Sequence, residues 1–348
     1  MKQLTRIPLV VALAIVPFSC DPLLLGPLEE NNALHNYEYL WEDFQASYGP
    51  FCVKDLNWDS LGAVYGGNLS ESSSDQELYK ALTGLLGELH DNHVSLVPTD
   101  PQFPFFQSGI VGELGTFTDF RASVVRDRYL SGDVDSRFDC LFGRLDGDIG
   151  YVHLTHVSAG VKLWEDFFDA AFAALGDTRG MIVDLRNNSG GNDQEAVYIA
   201  GRFAREEKDA FGFRLKDGPG MDDYTPFHFY KVKPEGKTRY HKPLVVLTHR
   251  FTISAGETLT MSFRRLDQVT VVGDTTSGAF SDMTIRELPN GWAYTISIGD
   301  WRDHNLVSYE GIGLAPDVPV LNRPEDLATG RDEALEAAMA LLAAAPAD

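Results

Sequence analysis

The chain has 348 residues, of which 44% are hydrophobic and 11% aromatic, and its formal net charge is −22. The hydrophobic content is sufficient for a large folded core, which argues against a disordered chain. The acidic balance argues against a nucleic-acid partner, because phosphate binding requires clustered Lys and Arg, and against docking on an anionic membrane surface.

The first twenty residues predict an export signal. Lys2 and Arg6 precede the apolar run IPLVVALAIVPF, which is short for a transmembrane helix. Ser19-Cys20 follows the run and resembles a bacterial lipoprotein cleavage site, with Cys20 as the lipidated residue. Plain secretion with cleavage nearby is the alternative. We expect an exported protein, periplasmic or at the cell surface, that a lipid anchors to a membrane without a spanning helix.

Two cysteines remain once Cys20 is assigned to lipidation. Cys52 and Cys140 form an even pair. In an oxidising compartment such a pair can form one disulfide, and we state this pairing as a hypothesis.

Residues 21–95 are predicted to form an N-terminal helical cap. Apolar residues recur at helical spacing around residue 40 and again over residues 75–90, and the stretch NWDSLGAVYGGNLSESSS between them has loop composition. Residues 96–147 are predicted as a small β or connecting region, because segments such as RASVVRDRYL alternate in polarity.

Residues 148–348 predict an α/β core that ends in a helix. The apolar runs IGYVHL, MIVDLR, PLVVLTH and VTVVGD have strand character, and helical periodicities lie between and after them. Such alternation predicts a mostly parallel sheet with helices on both faces. A hairpin is predicted through Pro289-Asn290-Gly291.

Ser254 lies where the strand PLVVLTH ends and a helical pattern begins. A serine at a helix start has the positive end of the helix dipole and free N–H groups beside it, which suits a nucleophile. Ser254-Ala-Gly-Glu257 also fits a capping box, and these residues alone favour the cap.

A second candidate is the turn RNNSGGN, which follows the strand MIVDLR. Ligand sites in α/β sheets lie beyond the carboxyl ends of strands, and paired glycines allow backbone N–H groups to approach a reacting atom. The alternatives are a plain strand-to-helix turn and a phosphate-binding loop. The dinucleotide and P-loop patterns are both absent.

Two further groups have catalytic residue types. His90 and His93 have three interpretations. Their spacing could begin a zinc site, or both could be histidines at a helix end that the helix dipole favours. Alternatively, one of them acts as a general base. Glu310 lies beside two glycines and is interpreted either as a carboxylate that orients a histidine or as a solvated turn residue.

Taken together, these motifs resemble one family. The order IGYVHL, MIVDLRNNSGGN, PLVVLTHRFTISAGE, VTVVGDTTSGAFSD, LPNGW and EGIGLAPDVPV, over about residues 150–321, is similar to the core of the C-terminal-processing (tail-specific) and tricorn-type serine peptidases. The turn at Asp91–His93 extends the resemblance into the cap. It implies a crotonase-like ββα core.

The family has two catalytic designs. One uses a lysine downstream of the serine, but Ala279 stands there and no lysine follows Lys242. The resemblance therefore implies the tricorn-like design, with Ser254 as nucleophile, His93 as base and Glu310 as the residue that orients it. Asn92 stands where some members carry a second serine.

The resemblance also implies an oxyanion hole formed by the backbone N–H groups of Gly190 or Gly191 and of Ala255. We expect a serine endopeptidase that acts on polypeptides, with no cofactor and no metal. A non-catalytic binding protein of the same fold and, on weaker grounds, a zinc hydrolase through His90 and His93 are the alternatives.

Overall fold

A computed structural model describes residues 30–110 and 119–345. The predicted export signal and Cys20 lie outside these residues. None of the helices in the described ranges has the length and apolar composition needed to cross a membrane.

The helices and strands follow one another along the whole described chain. The helices are α1 Ala33–Ser47, α2 Trp58–Gly66, α3 Asp75–Gly87, α4 Ala122–Arg128, α5 Val161–Leu175, α6 Asp193–Gly201, α7 Ala255–Phe263, α8 Pro324–Thr329 and α9 Glu333–Ala344, with a 3₁₀ helix at Gly49–Val53. The strands are β1 Ser95–Val97, β2 Phe106–Gln107, β3 Leu130–Arg137, β4 Cys140–Leu145, β5 Ile149–His153, β6 Gly180–Asp184, β7 Lys208–Leu215, β8 His228–Val232, β9 Leu244–Thr248, β10 Val269–Gly273, β11 Met283–Glu287, β12 Ala293–Ser297, β13 Gly299–Asp303 and β14 Val318–Pro319.

A seven-stranded sheet forms the centre of the fold, in the order β14-β10-β9-β6-β5-β4-β3. Within this sheet, β5, β6, β9, β10 and β14 pair in parallel, whereas β4 pairs antiparallel with both β3 and β5. The predicted α/β class with a mostly parallel sheet is confirmed.

Both faces of this sheet are buried, because side chains on its central strands alternate between two cores. Val183 and Val246 pack with α5, α6 and α7 on one face, whereas Ile182 and Val245 pack with α9 on the other. Strands covered on both sides explain the continuous apolar runs in the sequence. The predicted helices on both faces are therefore present.

The N-terminal helices pack on a second, four-stranded sheet with the order β11-β12-β1-β2. Its hairpin β11–β12 turns through Gly291, as predicted, and contributes Trp292, Tyr294 and Ile296 to the core that α1 and α3 share. The hairpin is distant in sequence from residues 21–95, so the core of the cap is assembled from two separate parts of the chain.

Two local predictions were wrong. The stretch predicted as loop contains α2, in which Asn57 accepts a hydrogen bond from the Ser60 N–H and thereby caps the helix start. The segment RASVVRDRYL forms α4 before β3 begins; Val125 is buried, and Arg126 and Arg128 lie in the last turn, where the helix dipole favours cations.

The hypothesis of a disulfide is also corrected, because Cys52 and Cys140 are both free thiols. Cys52 contacts the carbonyl of Gly49 in the 3₁₀ helix (3.6 Å), whereas Cys140 is buried in β4 beside the Thr155 hydroxyl (3.7 Å). The two sulfurs therefore have separate surroundings, one in the cap and one in the core.

Candidate active site

A cleft of about 770 Å³ lies between the seven-stranded sheet and the four-stranded sheet. The side of the seven-stranded sheet contributes Ser254 and the turn around Gly191, and the four-stranded sheet contributes Ser95, Thr295 and the adjacent His93. The structure thus brings Ser254 and His93, which are far apart in sequence, to the walls of one cleft.

Ser254 immediately precedes α7 and has φ 57° and ψ −126°. A positive φ is uncommon for a residue other than glycine, and such strain is concentrated at functional sites. The Ser254 N–H donates to the carbonyl of Ala279 (3.1 Å), so a contact between distant turns supports the conformation.

The carboxylate of Glu257 joins the Ser254 turn to a second turn further along the chain. One oxygen accepts from the Thr276 hydroxyl (2.6 Å) and the Gly278 N–H (2.7 Å). The other accepts from the N–H groups of Ala279 (2.8 Å) and Ser254 (3.1 Å). Burial raises the pKa of Glu257 to about 7, although these donors favour the ionised form. The sequence predicted Glu257 only as part of a capping box, because its long-range partners leave no local pattern.

Gly190 and Gly191 have positive φ values of 82° and 149°. A Cβ atom on Gly190 would lie 2.6 Å from Cβ of Ser254, and one on Gly191 would lie 2.2 Å from the carbonyl oxygen of Val157. Gly190 therefore allows this turn to pass directly beside Ser254, and Gly191 allows it to approach the backbone of Val157.

The three predicted oxyanion donors differ in availability. The Gly190 N–H already donates to Oδ1 of Asn188 (2.9 Å). Within residues 30–110 and 119–345, the N–H groups of Gly191 and Ala255 donate to no acceptor. Gly191 lines the cleft and Ala255 begins α7, where N–H groups have no partner within the helix. Asn188, which the sequence analysis did not select, fixes this loop.

Asp91 holds the turn that carries His93. One oxygen of the buried Asp91 accepts from the His93 N–H (2.8 Å). The other accepts from the hydroxyls of Tyr48 (2.8 Å) and Ser297 (2.8 Å). The backbone of His93 is therefore attached both to the end of α1 and to β12.

The imidazole of His93 is less constrained than its backbone. Burial lowers its pKa, while the negative charges of Asp91 and Asp282 oppose this effect. Its Nδ1 atom is buried and has no hydrogen-bond partner in the part of the chain that the structure describes. The lowered pKa keeps the ring neutral at neutral pH, as a general base requires.

The side chain of Glu310 is only 5% exposed, and its polar partners in the described chain lie away from His93. Its carboxylate accepts from the Phe280 N–H (3.0 Å) and lies 3.8 Å from Nζ of Lys54. Burial, and then the nearby Asp91, raise the pKa of Glu310 to about 8, while Lys54 acts in the opposite direction. Among the described residues no hydrogen bond joins Glu310 to His93, and none joins Ser254 to His93.

The turn where the family resemblance leads us to expect a lysine carries the buried Ala279, as read from the sequence. The neighbouring Ser277 accepts a hydrogen bond from the Asn92 side chain (2.8 Å). Asn92 thus links the His93 turn to residues 276–279. Glu257 links the same residues to Ser254.

His90 and His93 have different surroundings, since His90 is exposed and His93 is buried. In the described ranges no group of three or more His, Cys, Asp or Glu side chains is arranged to hold a metal ion.

Comparisons with known proteins place this α/β fold among the serine-type peptidases. Residues 148–320 match the model of peptidase family S41. The crystal structure of "a putative peptidase" from Parabacteroides merdae aligns with a TM-score of 0.81 and 32% identity, over 90% of this chain and 97% of that chain. The chain belongs to peptidase family S41, as the order of its motifs predicted.

Curated relatives come from both branches of the resemblance. Tricorn protease homolog 1 of Streptomyces coelicolor is 28% identical over 57% of this chain, and carboxy-terminal processing protease CtpA of Bacillus subtilis is 26% identical over 48% of it. The matched regions span only 17% and 34% of those two proteins.

Proposed function

We propose that this chain is a serine endopeptidase that hydrolyses peptide bonds in exported polypeptides through Ser254, His93 and Glu310. The observation that supports it most directly is the placement of Ser254. The residue has a positive φ at the start of a helix and lines the same cleft as the buried, neutral His93.

In the proposed reaction, Oγ of Ser254 attacks the carbonyl carbon of the substrate while His93 accepts the hydroxyl proton. The N–H groups of Gly191 and Ala255 donate to the oxyanion that forms. The C–N bond then breaks, and His93 returns the proton to the leaving amine. Water activated by His93 hydrolyses the acyl-enzyme and restores the Ser254 hydroxyl.

We assign to Glu310 the stabilisation of the cationic form of His93. Catalytic contacts are often long in unliganded proteins and shorten when substrate binds. In the unliganded arrangement, Glu310 accepts a hydrogen bond from the Phe280 N–H. Phe280 lies two residues before Asp282, and the charge of Asp282 raises the pKa of His93. Movement of this segment toward His93 during catalysis would complete the arrangement.

The experiment that tests the proposal compares Ser254→Ala with Ser158→Ala. Ser158 is a suitable control because its hydroxyl lies 3.1 Å from Nδ1 of His156 but does not line the cleft. A fluorophosphonate probe should label the wild type and Ser158→Ala, but not Ser254→Ala, and hydrolysis of an unfolded protein should follow the labelling. Undiminished hydrolysis by a folded Ser254→Ala variant would refute the assignment.

The alternative is a non-catalytic ligand- or peptide-binding member of the same fold. It is favoured by the lack of a hydrogen bond between Ser254 and His93 in the described part of the chain. Saturable peptide binding by the wild type, without labelling and without hydrolysis, would support this alternative.

We also propose export with lipid anchoring through Cys20, on the strength of the charged start, the apolar run and Ser19-Cys20. Expression in a bacterium should place the wild type in the membrane fraction, and Cys20→Ser should release it. An unchanged distribution of Cys20→Ser would contradict the anchor.

A further inference from the structure

Strand β11 lies at an open edge of the four-stranded sheet and begins inside the cleft. Among the described strands it pairs with β12 alone. The preceding residues Ser281 and Asp282, and its first residue Met283, line the cleft that contains Ser254. The edge therefore extends outward directly from the candidate catalytic centre.

The hydrogen-bonding pattern shows which backbone groups face outward. The Asp282 carbonyl accepts from the Ile298 N–H (2.9 Å), and the Leu288 N–H donates to the Trp292 carbonyl (2.9 Å). In an antiparallel pair, the residues that face the partner strand alternate with those that face away. The N–H and C=O groups of Met283, Ile285 and Glu287 consequently point to the open edge.

The side chains of the same residues lie on the sheet face that forms a wall of the cleft. The register pairs Ile285 with Thr295, and Thr295 with Ser95, and both of these partners line the cleft. Met283 is 53% exposed and Ile285 is 71% exposed. Met283 and Ile285 therefore place two exposed apolar side chains beside the open edge.

Edge strands of this kind are normally protected by charged side chains or proline, because they attract other extended chains. In β11 the Arg286 side chain points to the opposite face and is ion-paired with Asp43 of α1. Its charge is therefore unavailable to protect the edge. The remaining charge, Glu287, lies at the end of the strand away from the cleft.

From these observations we infer that β11 binds the substrate by strand addition. This inference rests on the proposed peptidase function and names the substrate class, an extended segment of unfolded polypeptide with apolar side chains at alternate positions. The segment pairs its backbone with Met283 and Ile285, and its apolar side chains pack beside theirs on the face above Ser254.

A binding measurement tests the inference apart from catalysis. In the full chain with Ser254→Ala, fluorescence anisotropy reports the binding of a fluorescein-labelled extended peptide that alternates valine and threonine. Adding Ile285→Pro removes the outward N–H without removing a bond to β12, and should weaken binding about tenfold. Ile285→Ser keeps the N–H and removes the apolar side chain, and should weaken binding less.

The matched control is Val64→Ser, which also replaces a β-branched apolar residue, one that is 69% exposed on α2. It should leave the affinity unchanged. If Ile285→Pro fails to fold, as circular dichroism would reveal, the Met283→Ser/Ile285→Ser double variant replaces it. Wild-type affinity in the folded edge variants would overturn the inference.

The two proposals fail in different ways. If the protein is labelled by the fluorophosphonate and its cleavage depends on Ser254, the peptidase proposal holds. Normal cleavage of unfolded protein by the edge variants would then refute strand addition alone. Edge-dependent peptide binding by a wild type that neither labels nor cleaves would refute the peptidase proposal alone.

Discussion

The Ser254 turn and the His93 turn face each other across the cleft but differ in how completely they are held. The Ser254 N–H is shared between the Ala279 carbonyl and the Glu257 carboxylate, which also accepts from the downstream turn. His93 is fixed through its backbone by Asp91, whereas its Nδ1 atom has no partner in the described chain.

Under the proposed function, this difference means that Ser254 would be preorganised as the nucleophile and that His93 would be aligned as the base only when substrate binds. A strained residue persists only where its surroundings over-determine it, as they do at Ser254. An imidazole whose Nδ1 atom has no partner among the described residues can adjust when substrate enters the cleft. Binding of substrate along β11 would act on the His93 side, because β11 and β1 both pair with β12.

The largest effect is expected for His93→Ala. Loss of the base should lower kcat by about 10⁶-fold, as removal of one member of such a unit does. Steady-state hydrolysis of an unfolded protein measures the change, and His156→Ala, which alters the histidine paired with Ser158, is the control. A second substitution, Ser254→Ala, should add little to the loss. Independent, additive effects would show that the two residues do not act together.

A smaller effect is expected for Glu257→Gln, which tests the rigid side of the comparison. The amide would place N–H groups against backbone donors and leave at least one of them unsatisfied, at a cost of about 1–3 kcal/mol in the free energy of unfolding. Urea denaturation measures this cost.

The control for Glu257→Gln is Glu77→Gln, since Glu77 occupies the same position in the exposed Ser74 capping box. Its effect on stability should be much smaller. Equal effects of the two substitutions would mean that Glu257 acts only as a local cap. In the wild type, the pKa of Glu257 is higher in the folded chain, at about 7, than in the unfolded chain. Protonation of Glu257 therefore stabilises the fold most at a pH below the pKa of the unfolded chain, and this stabilisation is lost as the pH rises through about 7.

The smallest effect is expected for Lys54→Met, which tests the electrostatics of the His93 side. Lys54 lies 3.8 Å from Glu310 and favours its ionised form. Since Glu310 must be ionised to stabilise cationic His93, the wild-type rate should rise with pH through about 8. Without Lys54 the pKa of Glu310 rises further, so the rate at neutral pH should fall several-fold and recover at alkaline pH.

The pH dependence of kcat/KM measures the effect of Lys54→Met. Lys162→Met is the control, because Lys162 is exposed and forms its ion pairs on the surface of α5. An unshifted profile in Lys54→Met would remove Glu310, or its ionisation, from the reaction.

The core of this protein was predictable because its strands are buried on both faces and produce continuous apolar runs. Ser254 and the glycine turn were identifiable because both belong to local turns at strand ends. Lys54 and the long-range role of Glu257 were not identifiable, since their partners lie in distant parts of the sequence. Helix α2 was missed because its glycines and polar flanks obscure a periodicity that tertiary packing against α1 supports.

The pairing of β1 with β12 has a consequence for biosynthesis. Ser95, two residues after the proposed base, hydrogen-bonds to Thr295, 200 residues further along the chain. Contacts between segments so distant form late in folding, because closing a long loop is entropically unfavourable. The wall that carries His93 therefore cannot assemble before most of the chain has been synthesised. A chain that ended between Ser254 and Thr295 would contain both proposed catalytic residues, but it would lack the strand that holds the His93 turn in place.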